Sequence, residues 1–247
     1  MKLSMETRGG GPPLVALPGW AMPMAVMWPW LDTLSARWRV TGVDLPGQGD
    51  SPDFAYDLST LAESVAEAVP DGSVGVGWSL GGQIILAAAL AGAPFRGLLL
   101  VGATPRFVSE AHWPWARDAG EVTHMRRQLT ADPAATVRGF VSLLAAGSAD
   151  RRTAARLARR AGGAALGLES GLRCLAETDL RPSLPALGTR SVWLTGAADG
   201  LAPPEAARAA AAMMPDARAR VVADAGHLPF ITHPDAVGDA LGSLRTE

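Results

Sequence analysis

The sequence predicts an α/β protein: a mostly parallel sheet flanked by helices and broken once by a helical insertion. Short apolar or β-branched runs alternate with alanine-rich helical stretches, as in a parallel sheet with crossover helices. One long stretch, about residues 105–185, has helical pattern and no convincing strand. Gly77-Trp78-Ser79-Leu80-Gly81 falls where a strand gives way to a helix, and two glycines around a serine suit a sharp turn that pushes Oγ into the open. The expected division is a core of residues 1–104 and 186–247 with a helical lid of residues 105–185.

Taken in order, the N-terminus MKLSMETRGGGPP breaks into Gly and Pro before a long apolar run develops, so it does not read as a signal peptide. Leu14–Leu17 reads as the first strand and runs into the loop Pro18-Gly19-Trp20. The apolar stretch from Leu14 to Trp30 contains Pro18, Gly19, Pro23 and Pro29, which a plain membrane-spanning helix would not carry together. Val40–Val43 is the next strand, followed by Asp44-Leu45-Pro46-Gly47-Gln48-Gly49-Asp50-Ser51, a turn in which Asp44 is expected to hydrogen-bond the backbone. Helix Thr60–Val69, strand Val74–Val76, helix Gly82–Ala93 and strand Leu98–Val101 follow. The insertion is interrupted at Pro114, Pro133, Gly147 and Gly162-Gly163. Strand Ser191–Thr195, helix Pro204–Met214 and strand Arg220–Val222 complete the alternation.

Composition bounds the function. With 247 residues, 48% of them hydrophobic, the chain can bury a large core, and a net charge of -2 predicts no general affinity for nucleic acid or anionic membrane. Cys174 is the only cysteine, which excludes an internal disulfide framework and a Cys-rich zinc site and fits a reducing cytoplasm. No metal cluster or dinucleotide fingerprint is present, so neither metal nor cofactor is expected. Charge is divided: residues 105–182 hold 12 arginines against 8 acidic residues, whereas the remainder holds 10 basic and 16 acidic ones.

If Ser79 is a nucleophile, it needs a base to take its proton and an acid to orient that base. Of the 4 histidines, His112 and His124 lie in the insertion and His233 precedes Pro234 as a surface turn residue. His227 follows the last strand in Ala225-Gly226-His227-Leu228-Pro229-Phe230 and is the candidate base, the bland alternative being a hydrogen-bonded loop histidine. The acid is expected after strand Ser191–Thr195, at Asp199 in Gly196-Ala197-Ala198-Asp199. The competing position, after Leu98–Val101, has no carboxylate in Gly102-Ala103-Thr104-Pro105; Asp216 and Asp224 read as loop and turn residues. An oxyanion would be met by the Leu80 N–H at the helix start and the Trp20 N–H from the loop after the first strand; alternatively Trp20 is a core aromatic.

The segments LPGW (17–20), VDLPGQGDS (43–51), GWSLGG (77–82), GAADGLAP (196–203) and AGHLPFITHP (225–234) together resemble the α/β-hydrolase superfamily, whose triad order is Ser, Asp, His. More narrowly, Trp20, Trp78, GLESGLRCLAETDLRPSL (167–184) and PFITHP resemble the family of pimeloyl-[acyl-carrier-protein] methyl ester esterases of biotin synthesis. The resemblance spans both ends of the chain and fades between about 105 and 165.

This resemblance implies an α/β-hydrolase fold and a cytoplasmic serine carboxylesterase, expected to be monomeric. Ser79 would form an acyl-enzyme, and methanol would leave first. The insertion would be a lid over the acyl chain, with Phe140 and Trp20 contacting substrate; by its pattern alone Phe140 is equally the apolar face of a lid helix. It also implies that an acidic acyl carrier protein docks on lid arginines, here Arg152 and Arg156 within the basic run Arg151, Arg152, Arg156, Arg159 and Arg160; the alternative is a solvated helix face. One departure is Pro18-Gly19 where the family usually has His-Gly, which bears on substrate range more than on the triad. Rival readings are a small-ester or carbon–carbon bond hydrolase and a non-catalytic receptor of the same fold. Serine at position 79 disfavours an aspartate-nucleophile dehalogenase or epoxide hydrolase.

Overall fold

The computed structural model describes residues 2–147 and 151–244. Seven strands form one sheet: β1 (Met5–Arg8), β2 (Pro13–Leu17), β3 (Arg39–Val43), β4 (Ser73–Trp78), β5 (Phe95–Val101), β6 (Ser191–Gly196) and β7 (Ala217–Val222), in spatial order β1-β3-β2-β4-β5-β6-β7. All neighbours are parallel except β1, which pairs antiparallel with β3. The central strands β4 and β6 are buried at every residue, as expected where helices cover both faces of a parallel sheet.

Outside the insertion lie α1 (Trp28–Leu34), α2 (Leu58–Ala68), α3 (Leu80–Leu90), α8 (Pro204–Ala212), α9 (Pro229–Thr232) and α10 (Pro234–Gly242). The insertion between β5 and β6 supplies α4 (Ala119–Ala131), α5 (Pro133–Ala145), α6 (Arg151–Arg160) and α7 (Ala165–Glu177). Each of the first two has a local reason to start where it does. Asp118 accepts from the N–H groups of Gly120 and Glu121 at the head of α4, and Asp132 accepts from Ala135 N–H at the head of α5, where Pro133 needs no donor partner.

Parallel strands aligned in register bring their C-terminal ends to one edge, where open α/β sheets place their sites. Leu17 pairs with Gly77, Trp78 with Val101, Val101 with Leu194, and Gly196 with Val222. The loops carrying Trp20, Ser79, Gly102, Asp199 and His227 therefore leave the sheet side by side. The insertion is tied down next to them through α7. Asp53, in the loop after β3, accepts from Gly167 N–H at 2.8 Å; Tyr56 N–H donates to Ser170 Oγ at 3.0 Å; and Arg173 donates to Tyr56 O at 2.6 Å.

The sequence pattern placed six of the strands and missed β1. That strand, METR, is short, exposed along most of its length and on the sheet edge, so it lacks the apolar alternation that marks a buried strand. The Asp44 turn is as expected: its carboxylate accepts from Met24 N–H at 2.7 Å and Asp50 N–H at 3.2 Å. His233 is not a plain surface turn residue, being partly buried at the head of α10 with Nδ1 2.8 Å from Thr232 Oγ1.

Candidate active site

Ser79 occupies a strained turn. Its φ of 54° and ψ of -118° lie outside the regions that non-glycine residues favour, and the turn joins the fully buried β4 to α3. Ser79 N–H donates to Val101 O at 2.9 Å and Gly82 N–H to Ser79 O at 2.9 Å, so both sides of the turn are fixed. Its flanking glycines are required by contact. A Cβ at Gly77 would come within 2.5 Å of Gly81 O, and one at Gly81 within 2.4 Å of Leu17 O. This second approach presses the start of α3 against the loop after β2, so that a Cβ at Gly19 would lie 3.3 Å from Ser79 Cβ. The Pro18-Gly19-Trp20 loop is thus adjacent to Ser79. Leu80, as the first residue of α3, presents an N–H with no acceptor inside the helix.

His227 and Asp199 meet beneath the same edge. Nδ1 of His227 is 2.9 Å from Asp199 Oδ2 and 3.0 Å from Oδ1, and the two side chains are 2% and 0% exposed. The carboxylate lies in a backbone cradle, since Oδ1 accepts from the N–H groups of Leu201 and Ala202, each at 2.9 Å. Thr195 Oγ1 is 3.2 Å from Oδ2, but its shorter acceptor is Ala202 O at 2.6 Å. Burial pushes the Asp199 carboxyl up, yet the facing His227 and these backbone donors outweigh it and hold its pKa below the usual 3.8. An ionised Asp199 accepting from Nδ1–H fixes the tautomer in which Nε2 is the base. Nε2 is buried and has no hydrogen-bond partner among the described residues, and His227 lines one narrow space with Ser79.

Two residues to which the sequence assigned no part in the site, Trp78 and Gly102, complete this arrangement. Trp78, fully buried, donates from Nε1 to the His227 carbonyl at 3.0 Å, with ring centroids 5.9 Å apart. Gly102, after β5, has a φ of 53°, and a Cβ there would stand 3.1 Å from the His227 ring and 3.3 Å from Asp199 Oδ2. Its tetrapeptide draws notice in the sequence for lacking a carboxylate, whereas its glycine is what leaves room for the pair.

The other candidates separate clearly. Asp216 precedes β7 and pairs with Arg190 at 3.3 Å, and Asp224 is an exposed turn residue with a φ of 56°. The Trp20 ring is buried, and its Nε1 donates to Leu168 O at 2.8 Å in the insertion, while Phe140 packs edge-on against it at 4.9 Å. The tryptophans near it in sequence go elsewhere: Trp28 lies under Arg8, Trp38 under Arg96, and Trp30 beside Phe230. Arg152 and Arg156 are exposed on α6, apart from the triad candidates. Among the described residues no group of three or more His, Cys, Asp and Glu side chains is placed to hold a metal ion.

A model described as "Alpha/beta hydrolase family" matches residues 14–240. The chain belongs to the alpha/beta hydrolase family. It is a hydrolase, and the curated relatives named here are ester hydrolases. It is 38% identical over 246 residues to a pimeloyl-[acyl-carrier protein] methyl ester esterase of Stenotrophomonas maltophilia (strain K279a), covering 97% of this chain and 95% of that protein. The identity is also 38% to the enzyme of that name from Xanthomonas oryzae pv. oryzae (strain MAFF 311018), with 97% of each chain covered. Among solved structures, an esterase from Exiguobacterium antarcticum superposes with a TM-score of 0.89 at 23% identity, covering 99% of this chain and 96% of that one. A bromoperoxidase from Bacillus anthracis gives a TM-score of 0.88 at 20% identity, covering 98% and 94%. At these identities the likeness is one of fold, the α/β-hydrolase fold with a helical insertion α4–α7.

In this alpha/beta hydrolase the insertion also forms a cavity of about 320 Å³ between α4 and α5, bounded by Met125, Phe140 and Leu143 together with Phe107 and Leu201. Phe107 and Leu201 also line the narrow space that holds Ser79 and His227. The two spaces are therefore neighbours across a shared apolar wall. Arg117, ion-paired with Glu121, and His124 and Gln128 supply the cavity's polar side. No helix among the described residues is long and apolar enough to cross a membrane.

Proposed function

We propose that this hydrolase is a cytoplasmic serine carboxylesterase that removes methanol from the methyl ester of a pimeloyl chain carried on an acyl carrier protein, in biotin synthesis. The chemistry rests on one observation: His227 Nδ1 lies 2.9 Å from Asp199 while its Nε2 is unpartnered in the space it shares with Ser79. The choice of ester is supported by the 38% identity to the pimeloyl esterases over nearly the full length of both chains.

In this reading Ser79 Oγ attacks the ester carbonyl and His227 Nε2 takes its proton. Asp199 stays ionised and stabilises the imidazolium that forms. The N–H groups of Leu80 and Trp20 donate to the oxyanion, each worth on the order of 3 kcal/mol in comparable sites. His227 then returns the proton to the departing methoxide oxygen, which leaves as methanol. Water, deprotonated by the same Nε2, attacks the acyl-enzyme and releases the free carboxylate, and the proton passes back to Ser79 Oγ. The acyl chain is held against Phe140 in the cavity between α4 and α5, with the buried Trp20 ring packed edge-on against Phe140 as its support. The carrier protein, being acidic, docks on Arg152 and Arg156.

The deciding experiment compares turnover of the carrier-bound pimeloyl methyl ester with the same ester free in solution, alongside complementation of a biotin auxotroph lacking its esterase. Preference for the carrier-bound ester and restored growth support this reading. Equal turnover of both esters without growth would move the enzyme to general small-ester hydrolysis. No turnover of any ester would favour a receptor.

A further inference from the structure

A second cavity, of about 230 Å³, is bounded by α1, α6 and α9 and shares no lining residue with the space that holds Ser79 and His227. Its walls are mainly apolar, formed by Val26, Pro29, Trp30, Leu157, Phe230 and Ile231, with the threonines at 33 and 153 beside them. Arg156 and Arg160 also line it, and no aspartate or glutamate among the described residues does. The arginines are there by helical spacing. Residues 153, 156, 157 and 160 share one face of α6, so Leu157 turns inward, 3% exposed, between two guanidinium groups that stay at the water. Arg160 is held at the margin by donating to Ala25 O at 2.9 Å, which engages one of its five N–H donors.

An apolar slot with cations at its mouth and no internal anion is complementary to a short hydrocarbon chain ending in a carboxylate. The slot is also mechanically connected to the catalytic histidine. Phe230 packs edge-on against Trp78 at 5.0 Å, and Trp78 donates to His227 O at 3.0 Å. Phe230 also follows His227 by three residues on the same loop and short helix.

We propose that this cavity binds a free medium-chain fatty carboxylate, and that its occupancy alters turnover through Phe230, Trp78 and His227. The carboxylate is held by Arg156 and Arg160, and the chain lies between Trp30 and Ile231.

Octanoate is the probe, titrated by calorimetry into the full-length protein after Ser79 has been capped with a phosphonate. The mass increase on capping reports the Ser79 assignment separately, so its failure is distinguishable from failure here. The expected result is one saturable octanoate site that survives capping. Arg156→Gln with Arg160→Gln should weaken it at least tenfold. So should Ile231→Trp, which fills the slot without touching charge, and each variant's melting temperature shows that it is folded. 1-Octanol, with the chain but no charge, should bind at least tenfold more weakly. In the uncapped enzyme, octanoate should change kcat for a small soluble ester while leaving KM within twofold. Loss of binding on capping would place the ligand in the Ser79 pocket and overturn the proposal. So would absence of a saturable site, insensitivity to both variants, equal binding of octanol, or purely competitive inhibition.

Discussion

Trp78 Nε1 donates to the carbonyl of His227 at 3.0 Å across a separation of 149 residues. Because Trp78 immediately precedes Ser79, a single buried side chain connects the turn of the candidate nucleophile to the loop of the candidate base. The Ser79 elbow is fixed by strand and helix, but His227 lies on a loop, and the indole is one of the contacts that set its height above the sheet. Trp78→Phe keeps an aromatic ring against Phe230 and removes the donor. A buried carbonyl left without its partner costs about 1–3 kcal/mol. We expect kcat to fall about tenfold, roughly 1.4 kcal/mol, with KM changed less than twofold. Steady-state kinetics on a small ester, with melting temperature as control, checks this; a rise in KM with kcat unchanged would make Trp78 a substrate contact instead.

Removing the nucleophile should be far more severe. Ser79→Ala is expected to abolish ester turnover with the fold retained, since triad members act as a unit. In the parent protein a fluorophosphonate should label Ser79, seen as a mass increase on the peptide that contains it. Wild-type turnover by a folded Ser79→Ala protein would remove the serine mechanism.

Asp199→Asn should lower kcat by about 10²–10⁴ at neutral pH, because the amide no longer stabilises the imidazolium and permits the wrong tautomer. His227→Ala should cost at least as much. The same carboxylate links stability to pH. Its pKa is held below 3.8 in the folded chain, so its contribution is fully present above the ordinary carboxylate range. That contribution is lost as pH falls through the lower folded value. The difference in melting temperature between the parent and Asp199→Asn should therefore be constant from pH 7 to about 5 and should change only as pH falls below about 4. A difference that varied between pH 6 and 8 would point to another group.

Gly102→Ala tests the space around that pair. Alanine at a φ of 53° costs on the order of 1 kcal/mol, and its Cβ would stand 3.1 Å from the His227 ring, closer than side chains normally approach. We expect a modest drop in melting temperature and a kcat loss of about tenfold or more. Loss of stability alone, with kcat preserved, would show that His227 can shift without consequence.

How far the site was legible follows from which residues are local in sequence. Ser79 could be read because its strand, glycines and helix are contiguous. Asp199 and His227 could be read because strand ends in a parallel sheet converge, so a carboxylate and a histidine after successive strands become neighbours. Trp78 to His227, Gly102 beneath the imidazole, and Asp53 at the head of α7 are long-range contacts. They carry no periodicity, and an indole or a glycine looks the same in a sequence whether it packs, turns or positions. β1 escaped for the opposite reason, since an exposed edge strand has no buried face to imprint a pattern.

The lid arginines give a prediction that separates carrier recognition from chemistry. Residues 105–182 carry 12 arginines against 8 acidic residues, and the described structure places Arg152 and Arg156 exposed on α6, with Arg156 also lining the cavity between α1, α6 and α9. If they dock an acidic carrier, Arg152→Glu with Arg156→Glu turns attraction into repulsion. Steering of this kind acts mainly on association rate and is screened beyond about 10 Å at 0.1 M salt. We expect kcat/KM for the carrier-bound methyl ester to fall at least tenfold at low salt, roughly 1.4 kcal/mol, and the loss to shrink as salt rises. Turnover of a small soluble ester should stay within twofold, because that substrate reaches Ser79 without meeting α6. That cavity does not mimic this outcome, since Arg160→Gln would weaken octanoate binding while leaving the salt-dependent step intact. Equal losses on both esters would indicate damage to the insertion, and no loss on either would return Arg152 and Arg156 to an ordinary solvated face.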